Sequence, residues 1–413
     1  MNERPFSPDN KRPAERPAPP TPVAESQRRK PWVELKYMSF HPHIYPAMVR
    51  KVSLGAKPGD LVTVYGKDGQ VFGFGLFNPH ARVPLRIHAH TTDQATEEWF
   101  DARIDDAASL RKDYLRLDEQ TDAYRVVHAD GDALGGLVVD RYADVLSVEV
   151  TSLGVLRRLP RWLPRLHAAL GTKREIVRVD PKIARIEAID PRDIPAPAPI
   201  RPVKIKEHGV TFEVDFAEGH KTGFFCDQRD NRLKLANLAK GKRMLELCTY
   251  TGGFSIYAKM KGAEEVTAVD LDEKAIAMAK RNANLNNAKV NFVHADAFTY
   301  ARQMIKNGEK WEVILLDPPK FVDDREFQEE GLKKYNDLNV LGLQLAKPGA
   351  LFVTCSCSGL VSFEQFEDLV VKAAHRYNKR LQIIDRTGAG ADHPAMSNYP
   401  ESRYLKVLWA RVW

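Results

Sequence analysis

Short apolar segments alternate with helix-like segments through the second half of this chain, and this alternation restricts the fold more than any other feature. The apolar segments, predicted to be strands, are residues 243–247, 265–270, 290–293, 313–317 and 350–354. The helices predicted between them are residues 253–261, 273–286, 298–307 and 326–346. Parallel strands need crossover connections of this length. Beyond about residue 206, the sequence therefore predicts an α/β domain with a doubly wound parallel sheet.

The first half of the chain predicts two smaller domains. Residues 31–92 contain two alternating segments, 61–65 and 71–76, joined by a Gly-Lys-Asp-Gly turn, which is the pattern of a small barrel or curled sheet. Residues 93–205 mix helical and strand-like segments and predict an α+β domain. Its helices are expected at residues 98–117 and 155–170, and its strands at residues 124–127, 137–140 and 145–150.

Two proline-rich segments flank these domains. Residues 1–30 contain seven prolines and seven Lys or Arg but almost no large apolar residues, which predicts a disordered basic tail. The second segment holds Pro191, Pro195, Pro197, Pro199 and Pro202. Neither a helix nor a central strand tolerates prolines at this density, so we predict a linker before residue 206.

Composition excludes some protein classes. No stretch approaches the roughly 18 apolar residues of a membrane span, and the N-terminus lacks the apolar core of a secretion signal. We therefore expect a cytoplasmic protein with no membrane partner. The net charge of +7 permits contact with nucleic acid without requiring it. The four cysteines show no zinc-ligand spacing, so we expect no metal and reduced thiols.

Acidic residues and a glycine pair follow the first three predicted strands, as in a nucleoside-binding site. Glu246 lies in the first strand and is followed by the turn 249–254 (TYTGGF), whose glycines let the backbone approach a ligand. Asp270 ends the second strand, where an acid binds ribose hydroxyls, and Asp296 follows the third. Alone, each feature is more typical of a turn or a helix cap. Together, without the G-x-G-x-x-G fingerprint of dinucleotide sites, they predict a site for S-adenosylmethionine.

The fourth strand runs into the sequence Asp317-Pro-Pro-Lys320. Enzymes that methylate exocyclic amines often carry an aromatic residue after two such prolines, and it stacks on the extruded base. Lys320 occupies that position here and Phe321 follows it, which argues against an adenine amine as the target. We predict that Asp317 holds or protonates the edge of a base and that Lys320 orients the base or a phosphate. A stiff structural loop is the alternative.

A loop with two cysteines follows the fifth strand and suggests the reaction. Carbon 5 of cytosine is a poor nucleophile until a thiolate adds to carbon 6. We predict that Cys357 supplies this thiolate, and that Cys355 points back into the sheet. For Cys226 and Cys248 we predict a role as small core residues. If Cys357 is also structural, the methylated atom is a nitrogen.

Five segments resemble a known family when they are taken together. They are residues 219–232 (GHKTGFFCDQRDNR), 250–254 (YTGGF), 317–321 (DPPKF), 356–360 (SCSGL) and 391–394 (ADHP). Residues 31–413 resemble the bacterial large-subunit ribosomal RNA cytosine-5 methyltransferase I family. The resemblance implies an RNA-binding PUA domain at 31–92, an α+β central domain, and a class I (Rossmann-like) methyltransferase domain at 206–413. The cofactor-binding residues that it implies are Gln228, Thr249, Tyr250, Gly252, Phe254, Asp270, Asp296 and Asp317.

The resemblance also implies that Cys357 is the nucleophile and that the substrate is large-subunit ribosomal RNA or a precursor ribosomal particle. We expect the RNA to lie across the first two domains and to be held mostly through phosphates. A homodimer remains an open alternative to a monomer. Two other functions stay open: methylation of an RNA nitrogen, and a non-catalytic role in ribosome assembly. The presence of Glu246, Asp270, Asp317 and Cys357 argues against the second.

Overall fold

A computed structural model describes residues 21–196, 200–216 and 223–413. The predictions for residues 1–20, for Pro197 and Pro199 of the linker, and for residues 219–222 of the longest motif lie outside the described residues. Within the described ranges, no helix is both long enough and apolar enough to cross a membrane.

A six-stranded sheet forms the N-terminal domain. Its strands are β1 (Trp32–Leu35), β2 (His43–Ile44), β3 (Val49–Val52), β4 (Asp60–Tyr65), β5 (Val71–Phe77) and β6 (Leu85–Ala89). They lie in the order β2-β6-β5-β4-β1-β3, with β1 parallel to β4. The two predicted segments at 61–65 and 71–76 form the antiparallel hairpin β4–β5. Inward residues such as Val33, Val62 and Ile87 make the core.

The prediction of a disordered tail through residue 30 is wrong for its last part. Arg28 is buried, and its guanidinium lies 3.0 Å from the carboxylate of Glu34 and 4.7 Å from the ring centre of Trp32. A carboxylate and an aromatic face together compensate the loss of water around the guanidinium. The ordered part of the domain therefore begins before the predicted boundary at residue 31.

The central domain is a four-stranded sheet covered by helices. Its elements are α1 (Glu97–Ser109), β7 (Ala123–His128), β8 (Leu137–Tyr142), β9 (Val145–Val150), α2 (Leu153–Leu156), α3 (Leu159–Leu170), β10 (Arg174–Arg178) and α4 (Pro181–Glu187). The strand order is β10-β9-β8-β7. The helix predicted at 155–170 is divided into α2 and α3. Helices α1 and α3 pack together, with the rings of Phe100 and Trp162 5.6 Å apart.

The C-terminal domain is the predicted α/β domain. It begins with the hairpin β11 (Val203–Glu207) and β12 (Val210–Val214), followed by α5 (Arg229–Leu238). Its further strands are β13 (Arg243–Leu247), β14 (Glu265–Asp270), β15 (Asn291–His294), β16 (Trp311–Leu316), β17 (Ala346–Ser356), β18 (Leu381–Thr387) and β19 (Lys406–Val412). Its further helices are α6 (Gly253–Met260), α7 (Glu273–Leu285), α8 (Ala297–Lys306), α9 (Gln328–Leu345) and α10 (Phe363–His375).

The seven-stranded sheet has the order β15-β14-β13-β16-β17-β19-β18. Successive residues of a strand face opposite sides, so Leu245 and Ile314 pack in one apolar cluster and Met244 and Val313 in another. Burial on both faces is typical of a doubly wound sheet. The five predicted strands, β13 to β17, are parallel, which confirms the predicted sheet. The sheet also contains two strands that were not predicted, β18 and β19, and β19 is antiparallel to both β17 and β18.

Candidate active site

The carboxyl ends of the central strands meet at one edge of the sheet. The amide of Cys248, just after β13, donates to the carbonyl of Val269 at 2.9 Å. The amide of Asp317, just after β16, donates to the carbonyl of Leu247 at 3.2 Å. These bonds hold the loops after neighbouring strands together. The acids predicted from strand ends, Asp270, Asp296 and Asp317, share this edge.

The turn after β13 has an unusual backbone conformation. Cys248 and Tyr250 have φ values of 68° and 51°, which residues with a side chain seldom adopt, and Gly252 has a φ of 84°. The carboxylate of Asp270 holds the turn by accepting a hydrogen bond from the amide of Tyr250 at 2.7 Å. Backbone strain of this kind concentrates at ligand sites, where the surrounding structure compensates it.

Helix capping was the alternative role for the acids at the strand ends. The structure shows which of these acids cap a helix and which do not. Asp272 caps α7, whereas Asp270 accepts hydrogen bonds from the amides of Tyr250 and Asp272. Asp296 does cap α8, accepting a hydrogen bond from the amide of Thr299 at 2.8 Å. Asp270 is therefore engaged by the turn, while Asp296 combines a capping role with a position at the sheet edge.

Three predicted site residues are buried beneath the same turn. Glu246 is 1% exposed and accepts a hydrogen bond from the hydroxyl of Ser255. Burial raises the pKa of Glu246 to about 8, so its carboxyl group is largely protonated at neutral pH. Thr249 and Phe254 are also buried. These side chains support the turn from inside the domain.

Gln228 and Asp317 are in direct contact. The Nε2 atom of Gln228 lies 3.2 Å from each carboxylate oxygen of Asp317 and 3.6 Å from the Sγ of Cys355. Burial, together with the nearby charge of Asp227, raises the pKa of Asp317 to about 7. Asp317 therefore gains and loses a proton near neutral pH, which suits a group that protonates a base.

The two cysteines after the fifth predicted strand differ in access. Cys355 is completely buried, as predicted, and burial raises the pKa of its thiol well above the usual value. Cys357 follows the last residue of β17 and is only half-buried. Since a substrate must reach the reacting sulfur, Cys357 is the better placed of the two.

Ser358 connects two loops by hydrogen bonds: the cysteine loop (residues 356–359) and the proline loop (residues 317–321). Its Oγ accepts a hydrogen bond from the amide of Val322 at 3.1 Å and lies 2.9 Å from the hydroxyl of Tyr335. Ser358 is completely buried. Residues 317–321 and 356–359 are thus held side by side.

Lys320 and Phe321 have different surroundings. The Lys320 side chain is 42% exposed, and its Nζ lies 3.5 Å from the carboxylate of Asp323. The ring of Phe321 packs 4.8 Å from that of Tyr335. Phe321 is therefore engaged in packing, and Lys320 faces solvent at the rim.

Asp227 is buried beside this group and was not predicted as a site residue. Its Oδ2 accepts a hydrogen bond from the hydroxyl of Tyr404 at 2.6 Å. Among the described residues, its Oδ1 has no hydrogen-bond partner. Buried carboxylate oxygens are rarely left unpaired, and such exceptions call for a functional explanation. The available signal was its position next to Gln228 in the longest motif.

Comparison with known proteins agrees with this geometry. The sequence model of S-adenosylmethionine-dependent methyltransferases matches residues 193–400, and that of PUA-like domains matches residues 28–89. The ribosomal RNA large subunit methyltransferase I of Shewanella frigidimarina is 36% identical over 391 residues, which cover 93% of this chain and 98% of the relative. That of Erwinia tasmaniensis is 32% identical over 386 residues, with coverages of 92% and 97%. The chain belongs to the ribosomal RNA large subunit methyltransferase I family.

Solved structures share the fold of this member of the ribosomal RNA large subunit methyltransferase I family. SMU.776, a methyltransferase complexed with SAH, superposes with a TM-score of 0.73 at 22% identity, covering 87% of this chain and 93% of the other. An S-adenosylmethionine-dependent methyltransferase from Streptococcus mutans superposes with a TM-score of 0.72 at 21% identity, with the same coverages. At such identities the likeness shows the fold alone.

The cofactor of this methyltransferase domain is S-adenosylmethionine. The residues present fit this nucleoside. Gly252 has the positive φ of 84° that the turn requires, and the half-buried carboxylate of Asp270 lies at the end of β14, where ribose hydroxyls find acceptors. The rings of Phe225 and Tyr250 lie 5.1 Å apart beside the turn and offer an aromatic surface.

Proposed function

We propose that this protein methylates carbon 5 of a cytosine in large-subunit ribosomal RNA, with Cys357 as the nucleophile. The observation that carries the proposal is the half-buried Cys357, in a loop that Ser358 connects by a hydrogen bond to the loop of Asp317. The relatives named ribosomal RNA large subunit methyltransferase I support the choice of substrate. A cytoplasmic location follows from that substrate and is part of the proposal.

The cofactor is proposed to lie across the carboxyl ends of β13 to β16. S-adenosylmethionine supplies an electrophilic methyl group. Asp270 is the proposed acceptor for the ribose hydroxyls because it already projects from the end of β14. The residues proposed to form the cofactor site, either by direct contact or, as for the buried ones, by supporting its turn, are Gln228, Glu246, Thr249, Tyr250, Gly252, Phe254, Asp270, Asp296 and Asp317.

Carbon 5 of cytosine becomes nucleophilic only after addition at carbon 6. In the proposed reaction the thiolate of Cys357 forms a bond to carbon 6. The electron pair of the 5,6 double bond moves to the bond between carbons 4 and 5, the pair of the double bond between carbon 4 and N3 moves to N3, and Asp317 delivers a proton to N3. Carbon 5 would then form a bond to the methyl carbon as the bond from that carbon to the sulfonium sulfur breaks, with its electron pair left on the departing thioether, and the N3 proton returns to Asp317. Finally a base takes the carbon-5 proton, the electron pair of the carbon–hydrogen bond re-forms the 5,6 double bond, and the bond from carbon 6 to sulfur breaks to release Cys357 as a thiolate.

Two carboxyl groups are proposed to recognise the edge of the base. Protonated Asp317 donates to N3, and the Oδ1 of Asp227, which has no hydrogen-bond partner among the described residues, accepts from the exocyclic amine of cytosine. Uracil carries a carbonyl in place of this amine and would leave Asp227 without a donor, which costs binding free energy. The exposed Lys320 is proposed to contact the base or a neighbouring phosphate.

RNA is proposed to approach over the PUA-like domain. Residues 28–60 carry seven Lys or Arg and only two Asp or Glu, so this stretch attracts phosphates. Tyr37 and Phe40 in the same stretch are each 65% exposed. Exposed aromatic rings beside basic groups suit single-stranded RNA, whose bases stack on them.

The proposed reaction is tested with RNA that contains 5-fluorocytosine. Fluorine replaces the proton whose departure releases Cys357, so a covalent complex should accumulate in the presence of S-adenosylmethionine. Wild type and Cys355→Ala should both give a denaturant-resistant complex in gel electrophoresis, whereas Cys357→Ala should give none. If Cys357→Ala still methylates RNA, the target is a nitrogen and the proposal is wrong. If only Cys355→Ala abolishes the complex, Cys355 is the nucleophile.

A further inference from the structure

Lys406 is a buried lysine that donates a hydrogen bond to the backbone of the cysteine loop. It is 3% exposed, and its Nζ donates to the carbonyl of Ser358 at 2.5 Å and to the carbonyl of Tyr404 at 2.8 Å. Lys406 begins β19 and pairs with Ser356 at the end of β17, directly before Cys357. Lysine is seldom this deeply buried unless a counter-charge or ligand compensates the cost.

Among the described residues, one acidic group interacts electrostatically with Lys406, and it is the thiol of Cys357. Burial lowers the pKa of Lys406 to about 8, and the charge of Cys357 acts in the opposite direction. Below pH about 8, Lys406 is therefore mainly an ammonium ion. Electrostatic coupling between two groups is reciprocal, so the ammonium acts on the thiolate as strongly as the thiolate acts on it.

Among the described residues, the other titratable groups that interact electrostatically with Cys357 include Tyr335 on α9 and Cys355 on β17. Burial raises the pKa of both groups, so both are neutral at physiological pH. Because they carry no charge, Tyr335 and Cys355 neither attract nor repel a negative charge on Cys357 as an ionised group would. Lys406 is therefore the cation that the described residues place next to Cys357.

We propose that Lys406 is a positioning residue for methyl transfer, because its ammonium group anchors the carbonyl of Ser358 and favours the thiolate form of Cys357. The inference rests on the proposed role of Cys357 as nucleophile. Only the thiolate attacks carbon 6, and an isolated thiol is mostly protonated at neutral pH. A buried positive charge beside it increases the reactive fraction.

The test follows the alkylation of Cys357 by iodoacetamide from about pH 6 to about pH 10 in the full chain without RNA. Fragment-ion mass spectrometry distinguishes Cys357 from Cys355. Lys406→Gln keeps a hydrogen-bond donor but removes the charge, and Lys406→Arg keeps the charge. We expect Lys406→Gln to raise the midpoint of the profile by about one pH unit and to slow alkylation about tenfold at neutral pH. Lys406→Arg should stay within about threefold of wild type.

Lys379→Gln is the matched control. Lys379 is half-buried, and its Nζ donates to the carbonyl of Ala346 at 3.3 Å, at the opposite end of β17 from Cys357. Its loss should leave the Cys357 profile unchanged. Calorimetry with S-adenosylmethionine identifies variants that are folded.

An unchanged profile in a folded Lys406→Gln variant overturns the inference. If that variant does not fold, Lys406→Met takes its place, because it keeps the length of the side chain without the charge, and an unchanged profile in folded Lys406→Met overturns the inference in the same way. Alkylation requires no RNA, so the result is independent of the 5-fluorocytosine experiment. A shifted profile without an RNA adduct supports the action of Lys406 on the thiol and contradicts the proposed reaction.

Discussion

The side chains of Arg229 and Asp392 form a buried, two-point ion pair between α5 and the loop that precedes β19. The two nitrogen–oxygen distances are 2.9 and 3.1 Å, and both side chains are at most 1% exposed. Asp392 also reaches the central domain, because its Oδ2 accepts from the amide of Arg125 and its carbonyl accepts from Arg111. One carboxylate therefore joins two domains.

Removal of this carboxylate should destabilise the whole protein. In Asp392→Asn the buried charge of Arg229 loses its buried partner and keeps an ion pair only with Asp230, which is 57% exposed, so the free energy of unfolding should fall by about 3–5 kcal/mol. Urea denaturation measures the loss. Glu367→Gln is the control, because Glu367 makes a similar two-point pair with Arg386, which is 54% exposed. That change should cost less than about 1 kcal/mol. Equal losses would show that burial of the Arg229–Asp392 pair has no special effect.

Asp270 should determine cofactor affinity. Asp270→Ala removes the proposed acceptor of the ribose hydroxyls and releases the amide of Tyr250. Affinity for S-adenosylmethionine in calorimetry should fall about tenfold to a hundredfold, since charge-assisted hydrogen bonds contribute about 1.5–3 kcal/mol. Asp180→Ala is the control, because Asp180 also accepts two backbone hydrogen bonds but caps α4 in the central domain. Unchanged affinity in folded Asp270→Ala would exclude the ribose role.

Stability should depend on pH through Asp317. Burial and the charge of Asp227 raise the folded-state pKa of Asp317 to about 7, above the usual unfolded value of about 3.9. The folded protein therefore binds the extra proton between these values, and the contribution of Asp317 to stability decreases as pH rises from about 4 to about 7. Asp317→Asn cannot ionise, so its melting temperature relative to wild type should be higher at pH 8 than at pH 5. A difference independent of pH would contradict the raised pKa.

Tyr37 should contribute to RNA binding by stacking. Tyr37→Ala removes a ring that is 65% exposed, and the loss of one stacked base costs about 1–3 kcal/mol, or about fivefold to a hundredfold in affinity. Because no charge changes, the slope of affinity against salt concentration should stay as in wild type. Leu54→Ala, at a residue of the same domain that is 97% exposed, should have no effect. Equal results for the two variants in filter binding would show that Tyr37 does not contact RNA.

The strands of the α/β domain were predictable because their signal is local. Strands β13 and β14 have the predicted bounds, and their apolar residues and intervening helix lie within a few tens of residues. Strand β18 escaped prediction because it alternates partly buried and exposed residues at the edge of the sheet. Strand β19 is antiparallel and follows a long irregular segment, so the alternation of strands and helices that predicted the other strands does not extend to it.

The sequence by itself determined the α/β architecture, the order of acids along the sheet edge and the family, because each depends on residue types close together in the chain. Only the tertiary structure decided which groups surround Cys357. Lys406 and Ser358 are 48 residues apart, and Arg229 and Asp392 are 163 residues apart. Contacts over such separations, and the burial that raises the pKa of Asp317, exist only once the strands have assembled into a sheet.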